Sequence, residues 1–192
     1  GWSDQLANFA PLAIAAMAST PSILSGGGGF DLSISPVMIL TAGVYALWLE
    51  PHGLGGAVAV PIMLAVGTAV GLINGLTIVL LRLPPVVVTL AAWFILIGLN
   101  IALMTAPIFV ENTWFTELAG SFGPFPAALC LLLPPLVLWV LLGRIPYRRV
   151  LYAVGSNDAT AFSSGVPVGR VRVAAYALGG MIASVGGIAV LA

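Results

Sequence analysis

The sequence has no lysine, one cysteine and one histidine among its 192 residues, and only 6% of its residues carry charge. Each shortage excludes something. Without lysine there is no GxxxxGK phosphate loop, so nucleotide hydrolysis by that route falls to another chain. Six basic residues against six acidic ones give a formal net charge of zero, and nucleic-acid binding needs a basic surface to neutralise phosphates. Cys130 stands alone in an apolar run, so it forms neither a disulfide framework nor a metal site and reads as an inert thiol in a helix. His52 follows Pro51 and reads as an interfacial loop residue, not a ligand or pH sensor. No catalytic residue, metal or cofactor is expected.

Hydrophobic residues make up 60% of the chain and the mean hydropathy is +1.15, a composition that places it in the lipid bilayer and not among soluble domains. Candidate membrane segments are Leu6 to Leu24, Leu32 to Leu49, Gly56 to Leu81, Pro85 to Thr105, Pro124 to Leu142 and Val173 to Ala192. Their lengths suit a hydrocarbon core of about 30 Å. The expected fold is all-α, a polytopic transmembrane bundle of about six segments forming a single domain over residues 1–192. Arg82-Leu83-Pro84 is a tight turn between the third and fourth segments, whereas Ala106 to Gly123 carries Glu111 and Glu117 and no basic residue.

Five of the six basic residues lie from Arg144 to Arg172, on the same side as Arg82 if each segment crosses once. The positive-inside rule makes that side cytoplasmic and puts Glu50, His52, Glu111 and Glu117 outside. The chain begins Gly1-Trp2-Ser3 without Met and stops in an apolar run, so it reads as a fragment with at least one further crossing upstream. No basic stretch precedes the first apolar segment, so a cleaved signal peptide is not expected.

Two rows of small residues suit close helix contact, Gly67, Gly71 and Gly75 in the third segment and Ala175, Gly179, Ala183 and Gly187 in the last. They read either as a moving transporter interface or as static packing. Four consecutive glycines, Gly26 to Gly29, break the chain before Phe30-Asp31-Leu32-Ser33, and Asp31 suits an N-cap or first-turn position at the next helix. Two readings stand for this break: a turn beside a translocation path, or a capped cytoplasmic turn between ordinary helices. Gly29, Asp31, Ser33, Asn74 and Asn100 are the candidate path residues, although for Asn74 and Asn100 a helix-to-helix hydrogen bond is the preferred reading over contact with a polar solute.

Within the 144–172 loop, Arg144-Ile145-Pro146-Tyr147-Arg148-Arg149 forms a basic membrane-exit collar. Beyond it, Ser156 or Asn157 is a good N-cap, Asp158 suits a first turn, and Gly165 before Pro167 is a stop. The pattern predicts a two-turn helix from Asp158 to Ser164 on the cytoplasmic face. Ala159 and Phe162 share one side of it as an apolar knob for a partner or the bilayer interface.

Gly29-Phe30-Asp31-Leu32-Ser33, Asn74-Gly75, Leu83-Pro84-Pro85 leading to Val88-Thr89-Leu90, and Tyr152-Ala153-Val154-Gly155-Ser156-Asn157 through Ser164-Gly165-Val166 together resemble the ribose-type sugar permeases of ABC importers. Order and spacing match over nearly the whole chain. The resemblance implies a multi-pass subunit of the bacterial inner membrane. It would pair with a second permease, identical or not, bind a cytoplasmic ABC ATPase, and accept solute from a periplasmic or lipid-anchored binding protein. It also implies that the short helix is the coupling helix, with Asn157, Asp158, Ala159, Thr160, Ala161, Phe162 and Gly165 among the ATPase contacts. The chain departs from the family pattern at Phe162-Ser163, where a basic residue usually stands, and at Ile34-Ser35-Pro36.

Two readings of other classes compete. A secondary transporter or channel working without an ATPase needs ionisable groups at membrane depth, for which only Asp31 is a candidate. A membrane scaffold would use the loop merely to recruit a protein.

Overall fold

The computed structural model describes residues 2–56, 58–105, 110, 121–122 and 125–191. Helix α1 runs Trp2–Leu24. After the glycine turn comes α2, Ile34–Val44, which widens into a π-helical turn at Tyr45–Leu49. Helices α3, Ala59–Leu81, and α4, Pro85–Leu103, form a pair across the Arg82-Leu83-Pro84 turn. Ser121–Phe122 and Phe125–Pro126 pair as a minimal antiparallel ladder. A 3-10 stretch, Ala127–Leu132, leads into α5, Leu133–Arg144, followed by α6, Pro146–Ser156, α7, Asp158–Ser163, and α8, Val168–Leu191.

A helix stands at each of the six expected positions. Three are long and apolar enough to cross a membrane by themselves: α3, α4 and α8. The apolar parts of the first two, Asn8–Leu24 and Ile34–Leu49, are shorter, and the span ending in α5 turns into α6 with a bend of 88°. The bend falls at Ile145, whose extended backbone precedes Pro146 as the chain restarts a helix. The chain is thus a helical, multi-pass membrane protein. Glu111 and Glu117 lie outside the described residues.

Helix α8 is the central element. In its most apolar stretch 67% of residues are buried, against 28% for α3 and 22% for α4. It packs on α1, α2 and α3, and small residues on different faces make each contact possible. A Cβ on Gly71 would collide with the Tyr176 carbonyl and come within 3.1 Å of Ala177 Cα; one on Gly75 would lie 2.9 Å from Val173 Cα. Gly67 meets Gly180 and Ser184 in the same way. The row Ala175, Gly179, Ala183, Gly187 serves other neighbours: Gly179 approaches the Ala18 carbonyl of α1, and Gly187 approaches Met38 and Thr41 of α2. The two rows therefore do not face each other. The α3 row packs on the Val173, Tyr176, Gly180, Ser184 side of α8.

Candidate functional site

The short helix α7 is defined at both ends by local chemistry. The Asn157 side chain accepts a hydrogen bond from the Thr160 N–H at 2.9 Å, so Asn157 is the N-cap. At the other end the Val166 N–H donates to the Ala161 carbonyl and the Gly165 N–H to the Phe162 carbonyl, with Gly165 at φ +83°. That is a Schellman closure, in which glycine takes the left-handed position without a Cβ penalty. Ala161 points inward and joins Leu151, Val154, Val171 and Ala175 in a small apolar cluster. Phe162 is 72% exposed, and Ala159 and Thr160 are exposed beside it.

Asp158 makes an ion pair with Arg172 of α8 at 2.9 Å. Arg172 also donates from Nε to the Ser25 carbonyl at 3.4 Å, joining α7, α8 and the glycine turn through one side chain. The amphipathic helix α6 is not among the elements expected from the sequence, where only its first residues, Pro146 to Arg149, belong to the basic collar. Its signal is Pro146 at the first helical position with apolar residues at Tyr147, Val150, Leu151 and Val154. Helix α6 presses on the end of α1, where a Cβ on Gly155 would strike the Leu24 carbonyl.

Gly26, Gly27 and Gly28 all have positive φ, between 63° and 72°. The glycine run is required here, because three successive left-handed residues are strained for any side chain. The turn lies against Gly155 and Arg172, at the end of the bundle that carries Arg82 and α6. Asp31, buried at its exit, accepts from the Ser33 N–H at 2.9 Å and the Ser33 hydroxyl at 2.7 Å. It is not the N-cap of α2. Ser33 holds that position and makes no side-chain capping bond, because its hydroxyl is committed to Asp31. Burial pushes the Asp31 carboxyl up from the ordinary carboxylate range, against the opposing pull of the two Ser33 hydrogen bonds.

Asn74 extends this chain by donating from Nδ2 to Ser33 Oγ at 2.9 Å. Asn100 donates to the Pro36 carbonyl at 3.0 Å, while its own Oδ1 is buried without a partner among the described residues. Thr89 donates to the Phe30 carbonyl at 3.2 Å. Asp31, Ser33 and Asn74 thus form one network, and Asn100 is a separate bond onto the same helix α2. Gly29 packs its Cα against the Ser22 and Gly26 carbonyls. Truncating Asn74 to alanine is expected to destabilise the protein by about 1–3 kcal/mol, because the buried Ser33 hydroxyl loses its donor. Thermal unfolding in detergent measures this, and a change below about 0.5 kcal/mol would make the network dispensable for folding.

Among the described residues no cluster of histidine, cysteine or acidic side chains could hold a metal. Cys130 is exposed in the 3-10 stretch, and the His52 ring lies 2.7 Å from the Trp48 carbonyl in an exposed turn.

A family model described as "Branched-chain amino acid transport system / permease component" matches residues 2–192. The ribose import permease protein RbsC of Escherichia coli K12 is 32% identical, over 92% of this chain and 56% of its own length. The fructose import permease protein FrcC of Rhizobium meliloti is 28% identical over 97% and 54%, and the ribose import permease protein RbsC of Bacillus subtilis is 30% identical over 83% and 51%. The chain spans about half the length of these curated relatives. No solved structure matches it. With the match running from one end of the described helices to the other, the chain belongs to this family of transport-system permease components, as a relative of the ribose-type permeases of ABC importers.

Proposed function

We propose that this chain is the membrane-spanning permease part of an ABC importer for a monosaccharide or related small carbohydrate, with α7 as the helix that receives a cytoplasmic ATPase. The observation that carries the coupling role is α7 itself: a capped, closed helix whose aromatic residue is left in solvent while its base is fastened to the central helix. Asn157 to Gly165 form the docking face. Asp158 and Ala161 are its anchors, the first through Arg172 and the second through the apolar cluster shared with Val171 and Ala175. A displacement of α7 by ATP-driven closure of the ATPase is then transmitted to α8, and from α8 to α1, α2 and α3, which pack on it.

In this reading the segments cross the inner membrane of a bacterium six times. Residues 1–192 form one permease domain, the 144–172 loop is cytoplasmic, and Gly29, Asp31, Ser33, Asn74 and Asn100 lie near the solute path. A second permease subunit completes the path, and a periplasmic or lipid-anchored protein delivers the solute. Ribose, fructose and galactose import permeases among the relatives support a sugar, whereas the family description names branched-chain amino acids.

The test is uptake into proteoliposomes carrying the full-length permease, its ATPase and its binding protein. Labelled ribose, fructose or galactose should accumulate only with ATP and the ATPase present. Undiminished sugar uptake without the ATPase would establish a secondary transporter or channel, and ATP-driven uptake of leucine in place of sugars would overturn the carbohydrate assignment.

A further inference from the structure

A cavity of about 470 Å³ opens at the basic end of the bundle, between the glycine turn, the α3–α4 turn and the first turns of α8. Arg82, Arg172 and Tyr176 line it together with Gly26 and Gly27. Arg172 is held in place by Asp158 and the Ser25 carbonyl. Arg82 has no ion pair among the described residues, which leaves the cavity with an uncompensated positive charge. The Gly27 N–H of the turn also lacks a hydrogen-bond partner among the described residues, whereas the Tyr176 hydroxyl is closed off from solvent.

Arg82 occupies its position at a conformational cost. Its φ of +54° makes it the non-glycine residue with left-handed backbone among the described residues, at a helix C-terminus where glycine is the unstrained choice. Strain of this kind persists where the side chain serves a purpose.

The same turn borders a second hollow. Leu83 lines both the basic cavity and an apolar groove of about 370 Å³ between α3 and α4, whose walls include Ile73, Val87 and Ile95. These three are 61%, 55% and 69% exposed. A charged socket adjoining an apolar trough at the edge of a membrane-spanning helix pair is complementary to an amphiphile with an anionic head. We propose that this junction binds an anionic phospholipid, its phosphate against Arg82 beside the Gly27 N–H, and an acyl chain along the α3–α4 groove. Basic pockets between membrane helices on the cytoplasmic side are suited to anionic headgroups, and a charge-assisted bond to phosphate exceeds a neutral one in strength.

The experiment compares the full-length protein reconstituted in phosphatidylcholine vesicles with and without phosphatidylglycerol. Lipid retained after detergent purification is identified by mass spectrometry, and thermal stability is read in parallel. Wild-type protein should retain phosphatidylglycerol preferentially and melt at a higher temperature in its presence. Arg82→Gly, which relieves the left-handed strain, should fold in phosphatidylcholine yet bind phosphatidylglycerol about tenfold more weakly, as expected for the loss of one charge-assisted hydrogen bond. Arg82→Lys should keep most of the lipid preference. Stabilisation by inorganic phosphate alone, to the same extent as by phosphatidylglycerol, would assign the cavity to a soluble anion and overturn the lipid. Equal retention of both lipids irrespective of residue 82, or crosslinking from position 87 to a protein segment instead of lipid, would overturn it as well.

Discussion

Gly71→Leu is expected to prevent assembly of the bundle. Any Cβ at this position meets the Tyr176 carbonyl, and Ala177 Cα stands 3.1 Å away. Both obstacles are backbone, so no side-chain rotation relieves the clash and the helices must separate. Separation of α3 from α8 also pulls Gly67 from Gly180 and Gly75 from Val173, since the three contacts lie on one line. In a bilayer no hydrophobic effect restores the pairing, because helix association rests on close van der Waals contact. Overpacking in a dense core costs about 1–3 kcal/mol where side chains can adjust, and more where they cannot. The expected result is loss of the monodisperse species on size exclusion and at least about 3 kcal/mol of destabilisation where folded protein survives. Gly98→Leu is the control. Gly98 lies on α4 with open space around its Cα, and its variant should stay within about 0.5 kcal/mol of wild type. A Gly71→Leu protein as stable as the Gly98 variant would show that α3 and α8 do not meet in this register.

The positions of the apolar helices were legible because they coincide with hydrophobic runs bounded by Gly, Pro and Arg. Their ends were less so. Helix α8 begins at Val168, five residues before the apolar stretch, because Arg170 and Arg172 sit on its first turns as a charged extension that hydropathy excludes. Helix α5 begins only at Leu133, since Pro134 and Pro135 lack the N–H groups that a longer helix would need. The small-residue rows announced contact, but spacing alone does not name the partner. One row faces α8 while the other faces α1 and α2.

The same division holds around α7 and the glycine turn. Asn157, Gly165 and the exposure of Phe162 were legible because caps and short-helix faces depend on neighbours in sequence. The Asp31 network was half visible: its bonds to Ser33 are local, whereas Asn74 arrives from 41 residues away. Arg172 was hidden for the same reason, as its bond to Ser25 spans 147 residues. Counted from sequence, Arg172 marks the side of the membrane; in the structure it ties α7 to the glycine turn.

Phe162→Ala is expected to weaken ATPase binding, and ATP-driven uptake with it, while leaving the permease folded. The side chain is 72% exposed and contributes almost nothing to the packing of α7, which rests on Ala161, the Asn157 cap and the Asp158–Arg172 pair. Truncation should therefore shift stability by no more than about 0.5 kcal/mol. An aromatic anchor at the centre of a protein interface is a different matter, since its removal costs at least about 2 kcal/mol of association. That loss corresponds to roughly thirtyfold weaker binding of the ATPase, and ATP-driven uptake falls with it when the ATPase is not in excess. Ile101→Ala supplies the comparison: Ile101 is 68% exposed near the far end of α4, and its truncation should change neither ATPase affinity nor uptake. The measurements are ATPase binding by titration and uptake in proteoliposomes, each normalised to folded permease. Because Asp158 and Ala161 secure α7 to α8 from the opposite side, excess ATPase should restore uptake in the Phe162→Ala protein: occupancy is lost, but the connection from α7 into the bundle is intact. Wild-type affinity and uptake after truncation would remove α7 as the coupling element.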